Sequence, residues 1–168
     1  MLAEFGCGWG KSVMSLIYAV FRFKSEEHHL DSKVFIANPN PWLQWQVNVK
    51  LAIYNDVHKD RTFEDLVVHD KDGICSILHE DLLRIPRKVI ENCVLIIDEA
   101  HLLFADCELK EHVLKAREVF GISATFGGAA GLHKLKEDLN QRGALVSYYK
   151  SPKGMDLTAR TKDVQIDL

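Results

Sequence analysis

Residues 94–101 read VLIIDEAH: four aliphatic side chains, two carboxylates, an alanine and a histidine. A half-exposed strand alternates apolar and polar residues, whereas one with no polar residue until its end is covered on both faces. The run therefore predicts a central strand of a mostly parallel sheet with helices on both faces. Asp98 and Glu99 fall at its carboxyl end, where ligands of open α/β sheets bind. There Asp98 is suited to hold a magnesium ion, and Glu99 to orient and deprotonate an attacking water, the task of the base in nucleoside triphosphate hydrolysis.

A second stretch, AEFGCGWGKS at residues 3–12, offers the complementary half of such a site. A phosphate loop works through successive backbone N–H groups and a helix amino terminus aimed at the anion, with glycines letting the backbone come close. The candidate loop comprises Gly6, Cys7, Gly8, Trp9, Gly10, Lys11 and Ser12. Lys11 can reach the terminal phosphates of ATP and Ser12 can ligate Mg2+, with a helix expected from Val13. Two features depart from the common pattern: Phe5 stands where a small residue is usual, and Trp9 is bulky inside the loop.

Outward from these two stretches, β-type runs alternate with helical ones: MLAEF, VMSLIYAVFRF, KVFIAN, WLQWQVNVKLAIY, and later VLIID, FGISA, ALVSYY and DVQID. The rhythm is that of an α/β domain. The run from Val13 to Phe23 is too short to span a bilayer and is expected to be a buried helix. HKDRTFEDLVVHDKD, at residues 58–72, reads as connecting surface with VV as its only short strand. SPKGMD, at residues 151–156, reads as a turn before a last strand.

A chain of 168 residues suffices for one domain with a substantial core. Hydrophobic residues at 47% and charged ones at 27% fit a globular chain rather than a disordered one. The formal charge of −3, from 21 Lys+Arg against 24 Asp+Glu, supplies no global field for nucleic acid, so any such binding must be local. Cys7, Cys75, Cys93 and Cys107 show no CxxC spacing, which predicts buried thiols rather than zinc or a disulfide framework. With neither a signal sequence nor a bilayer-length apolar run, a cytoplasmic or nuclear location is expected, with no membrane insertion.

In order and spacing, GxGKS, DEAH and GISAT at residues 121–125 resemble motifs I, II and III of superfamily 2 helicases and translocases of the DEAD/DEAH-box type. PNPWLQWQ at residues 39–46 is similar to motif Ia, with Pro39, Leu43 and Gln46 at the matching positions. The match covers about residues 2–126. It implies a RecA-like P-loop NTPase domain with ATP and Mg2+ as cofactors. Gly8, Gly10, Lys11 and Ser12 would bind phosphate and metal, and Lys11, Asp98 and Glu99 would be catalytic. His101, Ser123 and Thr125 would couple hydrolysis to movement of a second domain, and Pro39 and Gln46 would contact single-stranded RNA or DNA.

The resemblance also implies that residues 1–168 form a single, partial unit. An upstream adenine-contacting segment is expected to be absent, and a second RecA-like domain would act in cis or in trans. Such a domain carries an arginine that contributes about 10³–10⁵ to hydrolysis, so the isolated chain is expected to turn over ATP weakly. Two alternatives stand beside the helicase-like motor. One is a preprotein-translocase ATPase of the SecA type; the other is a degenerate, non-catalytic nucleotide-binding module.

Three other features stand outside these motifs. Trp42 and Trp45 are expected to pack against the neighbouring helix, with base stacking as the alternative. His28 and His29, beside Glu26, Glu27 and Asp31, read as solvated surface. The Cys7 thiol, near a helix amino terminus, is expected to be acidified and sensitive to oxidation.

Overall fold

The structure, a computed structural model, describes residues 1–6, 10–25, 33–53 and 61–151. Its first half runs β1 (Leu2–Glu4), α1 (Lys11–Ser25), β2 (Lys33–Asn38), α2 (Pro41–Ile53), α3 (Phe63–Val67), β3 (Gly73–Leu78) and a 3-10 helix (His79–Arg84). It continues through α4 (Arg87–Ile90), β4 (Cys93–Ile97), α5 (Ala100–Phe104), α6 (Cys107–Val113), β5 (Glu118–Ser123), α7 (Gly128–Gln141) and β6 (Tyr148–Lys150). The strands form one sheet in the order β3-β2-β4-β5-β1-β6, and every described pair is parallel.

The period-2 geometry of a strand sorts the aliphatic residues of β4 between two cores. Val94 and Ile96 point to the face covered by Leu16 and Ala19 of α1 and Val47 and Leu51 of α2. Cys93, Leu95 and Ile97 point to the opposite face, against Leu82, Ile90, Leu103, Val113 and Leu139. All five residues of β4 are buried, which explains the absence of polar residues until Asp98. The expected α/β architecture, with helices on both faces of a parallel sheet, is the one observed.

Several local expectations are corrected. The helix expected from Val13 begins at Lys11, and it is amphipathic rather than wholly buried. Ser15, Leu16 and Ala19 face the sheet, while Val13, Met14, Ile17 and Phe21 are exposed. The polar stretch read as connecting surface contains α3, and Val67 ends that helix rather than forming a strand with Val68. Thr62 and Asp65 close a reciprocal capping box there: the Asp65 N–H donates to Thr62 Oγ1 at 3.1 Å and the Thr62 N–H to Asp65 Oδ2 at 3.1 Å.

β3, whose sequence is GICSIL, is a strand that periodicity does not announce. Of the expected thiols, Cys75 and Cys93 are buried, and burial pushes the Cys93 thiol up to about 12; Cys107 is exposed. The DVQID strand, residues 152–156 of the SPKGMD turn, and the His28–His29 cluster lie outside the described residues. No described helix is long and apolar enough to cross a membrane.

Candidate functional site

The site lies along the carboxyl ends of β1, β4 and β5. At the first, β1 continues into the buried Phe5, whose N–H donates to the Ser123 carbonyl at 3.0 Å. The bulky side chain at this position meets the Tyr149 ring with centroids 5.7 Å apart. Gly6 and Gly10 flank the loop, while Cys7, Gly8 and Trp9 lie outside the described residues. Gly10 has φ +69°, a left-handed conformation that favours glycine, and its carbonyl accepts from the N–H groups of Val13 and Met14 at 2.8 and 3.0 Å. α1 therefore starts at Lys11 and Ser12, both half-buried.

At the second strand end, the Asp98 N–H extends the ladder by donating to the Ala37 carbonyl at 2.9 Å. The chain then turns sharply. Glu99 has φ 50° and ψ 46°, a left-handed conformation that costs a non-glycine residue about 1–2 kcal/mol. Contacts around the turn hold this conformation: the Glu99 N–H donates to Asp98 Oδ1 at 3.0 Å, and Lys11 Nζ lies 2.7 Å from Glu99 Oε1. Through this turn Asp98 is buried and Glu99 is turned toward α1.

Burial, followed by the neighbouring charge of Glu99, raises the Asp98 carboxyl above the ordinary aspartate value; the Glu99 N–H, Lys11 and Lys50 partly offset this. Two adjacent carboxylates, one desolvated and the other paired with Lys11, thus share a single lysine. No described group of three or more His, Cys, Asp or Glu side chains is placed to hold a metal by itself. Mg2+ in nucleotide sites does not require such a group, because it is bound by one or two carboxylates together with substrate phosphates and water.

Ser123 organises the third strand end. Its hydroxyl, fully buried, donates to the Thr125 carbonyl at 2.7 Å and accepts from the Thr125 N–H at 3.1 Å. A serine hydroxyl has one hydrogen, so the 2.8 Å contact with His101 Nδ1 has the imidazole N–H as donor. The same nitrogen lies 3.4 Å from Glu99 Oε2, which links the acidic turn to β5. Thr125 Oγ1 in turn accepts from the N–H groups of Gly127 and Gly128 at 3.2 and 3.3 Å, at the start of α7.

Of the residues singled out from the sequence, Lys11, Asp98, Glu99, His101, Ser123 and Thr125 thus form a connected cluster. Pro39 and Gln46 are set to one side, Pro39 just beyond β2 and Gln46 within α2. Two residues the sequence reading missed belong to the surroundings. The His79 ring Nε2–H donates to the Asp98 carbonyl at 2.9 Å, and burial lowers its pKa. Glu4, at the end of β1, pairs with Lys150 at 2.6 Å and accepts from the Tyr148 hydroxyl at 3.2 Å. Reading GICSIL as a strand would have put His79 at the same sheet end as Asp98.

Trp42 and Trp45 correct the expectation that they pack on a neighbouring helix. They stack on each other, with centroids 4.9 Å apart and an interplanar angle of 22°, and are 63% and 54% exposed.

The sequence matches no family model and no curated protein. Among solved structures, the fold is similar to that of the Sulfolobus solfataricus SWI2/SNF2 ATPase core in complex with dsDNA. The TM-score is 0.58 and the identity 16%, with 78% of this chain and 29% of that chain covered. The chain therefore spans under a third of that solved chain. At this identity the likeness establishes the fold alone, a RecA-like ATPase-core fold.

Proposed function

We propose that this chain is the ATP-binding lobe of a superfamily 2 helicase-like motor, a Mg2+-dependent ATPase that works on nucleic acid when joined to a second RecA-like domain. The observation that carries this reading is the junction of Lys11 with Glu99, in which the helix after the glycine-rich loop meets the acidic end of β4. In this reading the backbone of Gly6, Cys7, Gly8, Trp9 and Gly10 cradles phosphate, and Lys11 leaves Glu99 to pair with it. Ser12 and Asp98 hold Mg2+, for which the desolvated, negatively crowded Asp98 carboxyl is a chemically apt ligand. The metal supplies charge neutralisation to the phosphates.

Glu99 orients water and accepts its proton, while His101, Ser123 and Thr125 transmit the state of that carboxylate to the start of α7. The fold resemblance to an ATPase core bound to dsDNA supports nucleic acid as the partner. Pro39 and Gln46 are the contacts we assign to it from the motif Ia resemblance. Equilibrium binding of a fluorescent ATP analogue with Mg2+ tests the nucleotide site: Lys11→Ala should abolish binding, and undiminished affinity would remove the phosphate-loop assignment. Stimulation of turnover by RNA or DNA rather than by unfolded polypeptide, measured with the second domain supplied, tests the motor class.

A further inference from the structure

We propose that the stacked indoles of Trp42 and Trp45 form a platform for the unpaired bases of a single-stranded nucleic acid. This inference rests on the nucleic-acid motor reading and adds a base-stacking contact to it. Two of the largest apolar side chains of the chain remain in water side by side, an arrangement that costs free energy unless their exposed faces serve an occupant. Their placement is fixed rather than incidental. Asn40 caps α2, its Oδ1 accepting the Leu43 N–H at 3.0 Å, and the helix is held to the sheet by buried Val47 and Leu51. The Gln44 side chain also donates to the Ser76 carbonyl at 3.0 Å.

The chemistry around the pair fits a base more closely than an apolar protein surface. From Lys33 to Ile53 the chain has no aspartate or glutamate, although it has 24 in all, and Lys50 stands on α2; Lys33 is buried at the amino end of β2 and paired with Asp70. Asn40, Gln46 and Asn48 add amide groups. A flat aromatic face without carboxylates on its own segment accepts bases of any sequence. The pair stands at the start of α2, just beyond the carboxyl end of β2, on the sheet end that carries Asp98 and Glu99. With a net charge of −3, the chain gains little from counterion release, so stacking would carry a large share of the affinity.

The apolar stripe continues along α2 through exposed Val49 and Ile53, which a protein partner would use and a base would not. The test is anisotropy of a labelled mixed-sequence single strand, and of its duplex, titrated with the full chain at several salt concentrations. The double variant Trp42→Ala/Trp45→Ala should weaken single-strand binding about ten-fold or more. The slope of affinity against salt and duplex binding should be unchanged, and Trp42→Phe/Trp45→Phe should retain most of the affinity.

Wild-type single-strand affinity in the alanine variant, an equal loss on duplex, or no oligonucleotide binding by the wild-type chain would each overturn the platform. So would a Val49→Ala/Ile53→Ala variant matching the tryptophan loss, or self-association that disappears with the tryptophans, either of which would mark a protein contact. Melting curves identify a variant that fails to fold; single Trp42→Ala and Trp45→Ala variants then carry the comparison. ATP-analogue binding and its dependence on Lys11, measured in parallel, separate failure of the platform from failure of the motor reading.

Discussion

Lys11 Nζ lies 2.7 Å from Glu99 Oε1, joining the first turn of α1 to the end of β4 across 88 positions of sequence. In this arrangement the ammonium that would meet a phosphate already has a carboxylate partner, so an incoming anion must compete with Glu99. A partly buried ion pair of this kind is worth about 1 kcal/mol, or roughly a factor of five. Glu99→Gln should therefore bind a Mg2+–ATP analogue about five-fold more tightly while losing turnover. Isothermal titration checks the first outcome, and unchanged affinity would show that the pair does not restrain Lys11 in solution.

Asp98 makes the stability of the chain depend on pH in a defined direction. Burial, and then the charge of Glu99, raise its carboxyl in the folded state above the ordinary value. The folded chain therefore binds this proton more tightly than the unfolded chain, and stability falls as pH rises through the interval between the two values. At neutral pH Asp98 is thus a net cost to the nucleotide-free fold. Asp98→Asn should raise the melting midpoint by a few degrees near pH 7, with a smaller gain near pH 4, and should eliminate Mg2+-dependent nucleotide binding. A midpoint that falls equally at both pH values would contradict this account of the carboxyl.

The parts of the fold that were legible in sequence are those whose signal is local. The unbroken aliphatic run of β4 announces burial on both faces, and the carboxylates at its end announce the site. β3 was not legible, because Cys75 and Ser76 interrupt its aliphatic residues. Its strand character depends on neighbours, with Ile74 entering one core, Cys75 and Ile77 the other, and Ser76 Oγ accepting from Asn38 Nδ2 at 3.0 Å. The TFED sequence of α3 did carry a capping-box signal, but the polarity around it concealed a five-residue helix. At the site, side-chain identity was legible while backbone conformation was not. The left-handed Glu99 and the His79 contact arise only when β3, β4 and α1 come together.

Gly121 sets the distance between β5 and α5. A Cβ at this position would lie 3.0 Å from Ala100 Cβ, 3.1 Å from Leu2 Cδ2 and 3.3 Å from Phe104 Cε2. The Ala100 contact is the least forgiving, because that methyl is fixed to the backbone immediately after Glu99. Gly121→Ala should cost about 1–3 kcal/mol and displace the acidic turn, lowering turnover as well as the melting midpoint. Gly143→Ala is the comparison: with φ +82° and no atom within 4 Å, it strains the chain far from the site and should spare turnover per folded molecule. Equal effects of the two substitutions on turnover would show that Gly121 does not position the site.

Ser123 should separate nucleotide binding from the coupling of hydrolysis to movement. Its hydroxyl contacts His101 and both backbone polar groups of Thr125, but the nearest contact toward the phosphate loop is the 3.5 Å approach to Glu99 Oε2. Ser123→Ala leaves the Thr125 N–H and the partly exposed His101 ring nitrogen without this partner, and water can replace it in part, so the loss is about 0.5–1.5 kcal/mol. ATP-analogue affinity should nevertheless stay within about a factor of three of the parent, because no contact to Lys11 is removed and the loss of stability falls on the whole fold. Stimulation of turnover by nucleic acid, measured with the second domain supplied, should fall steeply. Thr125→Val provides the contrast. It keeps the Ser123 junction and removes only the acceptor for Gly127 and Gly128, a capping loss of about 1 kcal/mol at the start of α7. If the pathway to α7 runs through the Thr125 hydroxyl, both variants lose stimulation. If it runs through His101 and Glu99 alone, only Ser123→Ala does. Full stimulation in both would show that the cluster is structural and that hydrolysis is coupled to movement elsewhere.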